Sequence, residues 1–336
     1  MSTRNSVLRV GVLGAGVVGV TSALELQDEF PTAYITIVAD KFYQDTTSDG
    51  AAGFFRPGIE FSGPNENTTK KWIDDSYYYY KRLMDSESAC GVSVLDGYFF
   101  SDKNIADVRN PLLENLLPIV RSATPEELQI GKKIWKYGVY CESLLIECPK
   151  FLPWALTKFK AQGGHVRRQT IDRLGQLEGE FDVVVNCCGL QARYLCNDTK
   201  VMPVRGQILK VNAPWLKKFY YEGSDTYIIP NKSGSVTLGG CRQLGSNNLE
   251  VCPFDSASIQ QRCYNVLPKL KQAPILREWV GLRPYRPIIR VEPEQLNNLK
   301  IVHNYGHGGY GVTSAPGTSK HAVQIVRQSL KCNSKL

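Results

Sequence analysis

Three glycines and one aspartate are the first residues in this chain whose types and spacing suggest chemistry. They form the pattern Gly14-x-Gly16-x-x-Gly19, and Asp40 follows 21 residues after the last glycine. The first glycine permits a tight turn, and the second lets main-chain N–H groups approach a pyrophosphate. The third lets a helix pack directly on a strand, and an acid at this distance can accept hydrogen bonds from a ribose 2′-hydroxyl. Gly14-Ala15-Gly16-Val17-Val18-Gly19 is therefore a candidate dinucleotide-binding turn. The pattern alone does not separate a nicotinamide from a flavin dinucleotide.

The elements that must hold these residues are legible around them. The apolar run Leu8 to Leu13 predicts a buried strand, and the residues through roughly Gln27 predict a helix. The helix N-terminus supplies free N–H groups and positive dipole for phosphates. A second apolar run, Tyr34 to Ala39, predicts the strand that ends at Asp40. The polar turn Asp45 to Asp49 is followed by Gly50-Ala51-Ala52-Gly53, small residues that let backbone come near a flat or bulky group. Residues 68–86 carry Trp72, Tyr79 and Leu83 at helical spacing, and Tyr77 to Tyr80 are expected in the core. Pro149 to Trp154 open another helix with Pro153 in its first turn. Asp182 to Cys188 read as a strand ending at Gly189.

From 201 to 245, strand-like runs separated by turn residues predict a mixed sheet carrying a substrate pocket. The segment from Ile301 to Val312 reads as a strand entering a glycine-rich loop, with a helix from about Gly317 to Leu330. Strand, N–H nest and helix N-terminus thus recur, and a second nest can stabilise negative charge on a ring carbonyl. That favours a flavin over a nicotinamide.

Composition narrows the class. The 336 residues leave room for two domains, and 43% hydrophobic with 21% charged residues is ordinary for a globular protein. The net charge of +8 contains no Lys/Arg block, which argues against nucleic acid while still attracting an anionic substrate. No apolar stretch approaches the roughly 18 residues of a membrane span. The ten cysteines lack Cys-x-x-Cys spacing and read as buried free thiols of a reducing compartment. His165, His303, His307 and His321 do not cluster with cysteines or carboxylates, so no metal is expected. The final Ser334-Lys335-Leu336 matches the address read by the peroxisomal import receptor, which predicts a matrix location.

In combination, Gly14–Gly19, Asp40-Lys41-Phe42, Asp45–Ser48, Ala51-Ala52-Gly53, Pro203–Gln207, Gly281–Pro284 and Tyr305–Gly311 resemble the FAD-dependent D-amino-acid oxidase family. The resemblance implies an α/β fold with a Rossmann-like FAD-binding domain and a second, mixed-sheet substrate domain. The first domain would comprise 1–55, 143–200 and 284–336, and the second 56–142 and 201–283. FAD would be held by the opening glycines, by Asp40 at the adenosine ribose, and by Lys41, Thr47 and Ser48 at the phosphates. Gly53 and the backbone of Ile171 would add contacts. Gly308, Gly309, Tyr310, Gly311, Val312 and Thr313 would form a loop facing the flavin C2 carbonyl.

Within the family, the segment Thr237 to Gln243, with Arg242, resembles the branch acting on acidic D-amino acids. Such a substrate presents two carboxylates and an amine. Arg283 can clamp the α-carboxylate with a bidentate fork, and Tyr227 can add a phenolic hydrogen bond. Arg242 can pair with the side-chain carboxylate, and the Gly309 carbonyl is a candidate amine acceptor by family match. By chemistry alone Arg286 is an equal alternative to Arg283, and Arg242 equally suits a solvated hairpin.

The implied reaction is oxidative deamination by O2 to a 2-oxo acid, ammonia and H2O2. Hydride would pass from Cα to flavin N5 without a side-chain base, and a peroxide product suits a peroxisomal address. Two departures from the acidic-substrate branch stand out. Arg56 replaces a histidine after Ala51-Ala52-Gly53 and is a candidate positive charge. The lid-like loop before Tyr227 reads Lys217 to Glu222 and lacks an arginine. An oxidase of neutral D-amino acids, an NAD-dependent dehydrogenase and a dinucleotide-binding sensor are the other readings the residues admit.

Overall fold

The apolar runs around the opening glycines pair in parallel, as their composition requires. The structure is a computed structural model that describes residues 7–58, 60–130 and 133–331. Strands His165–Arg168, Tyr34–Ala39, Arg9–Leu13, Val183–Asn186 and Leu299–His307 lie side by side in that order, each parallel to its neighbour. Val10, Val12 and Val183 to Val185 have no exposed surface. Strands apolar on both faces are those of a parallel sheet covered by helices on each side. The covering helices include Val17–Glu29, which follows the glycines, and Gly311–Lys331, which follows the last parallel strand.

One long strand, Ile275–Leu296, carries the sheet across to its other half. Its C-terminal part pairs antiparallel with Leu299–His307, and its N-terminal part pairs antiparallel with Met202–Asn212. The register shifts between Tyr285 and Arg290. Ser235–Gly239, Thr226–Pro230 and Phe219–Glu222 follow, all antiparallel. Val92–Ser101, Tyr137–Ile146 and Ile119–Ser122 then complete a mixed sheet that is continuous with the parallel half. The boundary expected at 283/284 therefore lies inside one strand, and that at 142/143 inside another.

Four local expectations change. The C-terminal helix begins at Gly311, not Gly317, and Gly308–Tyr310 is a short 3-10 turn and not an open loop. Pro316 sits within the helix and withholds the N–H that would bond the Val312 carbonyl. Tyr80 replaces it, its hydroxyl donating to that carbonyl at 2.7 Å, and the Gly317 N–H donates to Ser76 Oγ at 2.8 Å. Tyr80 and Ser76 lie on helix Glu66–Ser86, which Gly317 admits closely, since a Cβ there would stand 2.0 Å from the Trp72 carbonyl oxygen.

Helix Cys148–Ala161 starts before Pro149, so Pro153 falls in its second turn and not its first. The segment read as a lid-like loop contains strand Phe219–Glu222. Phe219 and Tyr221 alternate into the core and pack their rings against Phe54 and Phe99, which draws the segment into the sheet. The ten-residue strands Val92–Ser101 and Tyr137–Ile146 had no counterpart in the sequence reading.

Tyr77, Tyr79 and Tyr80 are buried, as core residues should be, while Tyr78 is exposed. The nine described cysteines are unpaired thiols. Among the described residues no helix is long and apolar enough to cross a membrane. Ser334-Lys335-Leu336 lies outside the described residues.

Candidate active site

A cavity of about 1050 Å³ is lined by residues of both the parallel and the mixed half of the sheet. Main chain builds one stretch of its wall. Gly14 has φ of +106°, and a Cβ there would stand 2.6 Å from the Cys187 carbonyl oxygen. Gly14, Ala15, Gly16, Val17 and Val18 all line the cavity, whereas Gly19 does not. A Cβ on Gly19 would approach the Gly14 carbonyl oxygen to 1.9 Å, so its task is to let the helix sit on the turn. Ser48 accepts the Val17 N–H at 3.0 Å and lines the cavity as well, joining the threonine-rich turn to the helix N-terminus. Asp40 and Lys41 lie at the end of their strand, and they line the cavity together with Ile171, Thr47 and Gly53.

The second stretch of main chain runs from Gly308 to Thr313, and every residue in it lines the cavity. Gly308 turns the chain with φ of +56°, and the helix from Gly311 directs its N-terminal turn inward. Two helix N-termini thus face one volume, an arrangement suited to phosphates at one and a partly negative ring oxygen at the other.

Charged side chains gather beyond this second turn. Arg283 extends from the long strand between Gly206 and Gly309. A Cβ on Gly206 would stand 2.1 Å from its Nη1, and that atom donates to the Cys241 carbonyl at 3.1 Å. No described carboxylate lies within ion-pair distance of Arg283. Arg286 is engaged elsewhere. It pairs with Asp198 at 2.9 Å, also donates to the Ile288 carbonyl, and does not line the cavity. Geometry thus separates two arginines that chemistry alone left equivalent.

The Tyr227 ring lies against Gly239 and Gly240, where a Cβ would come within 2.0 and 2.7 Å of it respectively. Its hydroxyl has no hydrogen-bond partner among the described residues. Burial pushes its pKa upward against the pull of Arg283 and Arg242, so it stays a proton donor.

Arg242 lines the cavity, but two carboxylates bracket it. It pairs with Glu60 and, through Nε, with Asp225 at 3.0 Å. Glu60 also accepts the Tyr310 hydroxyl at 2.5 Å. Burial opposes ionisation of Glu60, yet the Tyr310 bond, its own backbone and Arg242 prevail and hold its carboxyl below the usual range. Arg56 also lines the cavity, with its guanidinium 5.0 Å from the Tyr221 ring centre and 5.3 Å from that of Phe99.

Residues 9–325 match the family model described as DAO, FAD dependent oxidoreductase. The chain belongs to this family. It is 39% identical to a D-aspartate oxidase from Homo sapiens over 95% of each chain. It is 32% identical to a D-amino acid oxidase from Dugesia ryukyuensis, covering 96% of this chain and 98% of that one. A glycine oxidase from Bacillus cereus shares the fold, with a TM-score of 0.80 over 96% of this chain and 95% of that one, at 18% identity.

The cofactor is therefore FAD, and the cavity suits it: Cβ-free cradles at Gly14 and Gly16, an acid at Asp40 and two helix N-termini line one volume.

Sequence reasoning missed the residues that hold the charged part of the wall in place. Arg205, 1% exposed, donates to the carbonyls of Asn248 at 2.9 Å and Glu250 at 2.7 Å. It also donates to Gln243 at 2.9 Å, Asp255 at 2.8 Å and Gln207 at 2.8 Å. These bonds pin the segment that carries Arg242 and the Cys241 carbonyl used by Arg283. The trace in the sequence is Arg205 and Gln207 alternating onto one face of a strand that also holds Val204, Ile208, Leu209 and Val211. Glu60 left no such trace.

His307 is the only histidine among the cavity-lining residues. It shares a hydrogen bond with Thr318 Oγ1 at 3.0 Å, and burial pushes its pKa down to about 3. It remains neutral at physiological pH and is too weak to serve as a general base.

Proposed function

We propose that this FAD-dependent oxidoreductase oxidises acidic D-amino acids, D-aspartate and D-glutamate, with O2 as acceptor. Substrate, O2 and water would give a 2-oxo acid, ammonium and H2O2. The observation that carries the reading is the guanidinium of Arg283, bonded to the Cys241 carbonyl but without a carboxylate partner among the described residues, in the same cavity as the unpartnered hydroxyl of Tyr227. Both line the cavity together with Arg56, a cation without a carboxylate partner among the described residues. The name of the Homo sapiens relative, a D-aspartate oxidase, supports the same substrate class, and that of the Dugesia ryukyuensis relative supports D-amino acids in general.

Arg283 receives the α-carboxylate as a bidentate fork, and Tyr227 donates a further hydrogen bond to it. These contacts fix Cα in the cavity, which is orientation catalysis. FAD, when bound, supplies the two-electron acceptor. Gly14 to Val18, Asp40, Lys41, Thr47, Ser48, Gly53 and Ile171 would hold its adenosine and phosphate portions, and Gly308 to Thr313 would hold the ring. No imidazole base operates, because His307 stays neutral and weakly basic. The surrounding arginines instead favour loss of the ammonium proton, since like charges disfavour the charged form. The Gly309 carbonyl is the acceptor for the resulting amine.

A peroxide assay of the FAD-loaded enzyme over D-Asp, D-Glu, D-Ala, D-Met and L-Asp tests the proposal. We expect kcat/KM for the acidic D-substrates to exceed that of the neutral ones by about tenfold or more, the effect of one charged contact. An oxidase of neutral D-amino acids is the second reading, favoured by Glu60 and Asp225 already occupying Arg242. Equal or better turnover of D-Ala and D-Met would select it.

Ser334-Lys335-Leu336 supports import into the peroxisomal matrix by the receptor that reads this tripeptide. A fluorescent fusion with the tripeptide intact should enter peroxisomes, and one with it deleted should not.

A further inference from the structure

Two arginines besides Arg283 line the cavity, and their surroundings are opposite. Arg242 stands between Glu60 and Asp225, with Asp225 at 3.0 Å from Nε and Glu60 held in turn by the Tyr310 hydroxyl at 2.5 Å. Two carboxylates around one guanidinium leave local negative charge in excess. A third carboxylate arriving there is repelled, or it must first displace Glu60 from both Arg242 and Tyr310.

Arg56 has no carboxylate within ion-pair distance among the described residues. It rests over the rings of Tyr221 and Phe99, at 5.0 and 5.3 Å, and its backbone N–H donates to Thr313 Oγ1 at 3.3 Å. A guanidinium lying over aromatic rings keeps N–H edges available to an anion. The Tyr221 ring centre is 5.5 Å from that of Tyr227, so Arg56 sits one ring away from the hydroxyl proposed to touch the α-carboxylate.

We infer that Arg56 is the specificity-determining cation that binds the distal carboxylate of the substrate, while Glu60, Arg242 and Asp225 form a self-neutralised rim. The inference rests on the proposed oxidation of acidic D-amino acids and reassigns the distal contact expected for Arg242.

The test uses the full-length, FAD-loaded enzyme and three variants: Arg56→Met, which removes charge and keeps bulk, Arg56→Lys, which restores charge, and Arg242→Leu. Flavin absorbance and thermal midpoint verify folding, and Arg56→Gln replaces Arg56→Met should the latter fail to fold. Kinetics with D-Asp and D-Met are paired with calorimetric binding of succinate and propionate, a readout independent of turnover.

Arg56→Met should raise KM for D-Asp and Kd for succinate by about 10- to 100-fold. D-Met and propionate should change by less than about threefold, within the scatter of an uncharged contact. Arg56→Lys should recover part of the loss, and Arg242→Leu should cost less than Arg56→Met. Unchanged succinate affinity in Arg56→Met, or a larger loss in Arg242→Leu, would overturn the inference. A wild-type enzyme that oxidises no D-amino acid would instead overturn the functional reading, and succinate binding would still report on Arg56.

Discussion

One part of the cavity wall, Gly14, Gly16 and the turn from Gly308 to Thr313, presents main chain. Another, Arg56, Glu60, Tyr227, Arg242, Arg283 and Tyr310, presents side chains. The main-chain part is made of two contiguous segments, each a strand, a turn and a helix N-terminus. The charged part collects residues from distant segments, and its hydrogen-bonded Glu60 and Tyr310 are 250 positions apart. The first part therefore recognises the shape and charge of a dinucleotide through local backbone geometry. The second recognises a substrate through which arginines remain without a carboxylate once the chain has folded. Cofactor binding is thus a property of short segments, and specificity is a property of the charge pairing between distant ones.

The largest predicted break concerns the main-chain part. Gly19→Ala places a Cβ 1.9 Å from the Gly14 carbonyl oxygen, so helix and turn must separate. Purified protein should lack flavin absorbance and lose ~3 kcal/mol or more of stability. Gly308→Ala, whose Cβ would meet only Tyr285 at 3.4 Å, should cost about 1–2 kcal/mol for the left-handed backbone and keep its flavin. Equal effects of the two would break the contrast.

In the charged part, Arg283→Met should lower kcat/KM about a thousandfold for acidic and neutral D-amino acids alike, with flavin retained. A loss confined to acidic substrates would show that Arg283 does not hold the shared α-carboxylate.

Acid should weaken the fold around the last parallel strand, which carries His303 and His307. Burial drives His303 to about 4 and His307 to about 3, below the ordinary 6.5. Both stay neutral in the folded chain while the unfolded chain takes up protons. Their contribution is thus complete above pH 6.5 and is lost as pH falls through about 4 and 3, on the order of a few kcal/mol each. Glu25, far from the cavity, has the opposite sign. Burial and Asp28 raise it from 4.5 to about 7 against Lys320 and Arg82, so its contribution is present below 4.5 and lost as pH rises through 7. Thermal midpoints from pH 3 to 8 should flatten at the acid side in His307→Gln and rise near pH 8 in Glu25→Gln.

The smallest effect sharpens how the scaffold supports the second nest. Tyr80→Phe leaves the Val312 carbonyl without the partner that Pro316 denies it, costing about 1–2 kcal/mol in denaturant unfolding. Flavin should remain bound.

Much of this molecule was legible from its residues. The strand before Gly14, the helix after it and the strand ending at Asp40 lie where apolar runs and glycine spacing put them. The errors arose where a local signal met a tertiary partner. The last helix was expected from about Gly317, yet it begins at Gly311 and runs through Pro316, with Tyr80 and Ser76 of another helix supplying hydrogen bonds there. Lys217 to Glu222 read as a lid, yet Phe219 and Tyr221 find aromatic partners at Phe54 and Phe99 and become sheet.

The residue order by itself determined the dinucleotide device, because a turn, a close backbone approach and a helix N-terminus depend on neighbours a few positions apart. It also favoured a flavin, through a second nest of the same kind, and the family resemblance made that flavin FAD. Only the tertiary structure decided which arginines are free. Asp198 removes Arg286, and Glu60 and Asp225 bracket Arg242, while Arg283 and Arg56 meet no carboxylate among the described residues. Charge pairing acts through space over a few ångströms, and in a folded chain those few ångströms separate residues 88 and 182 positions apart.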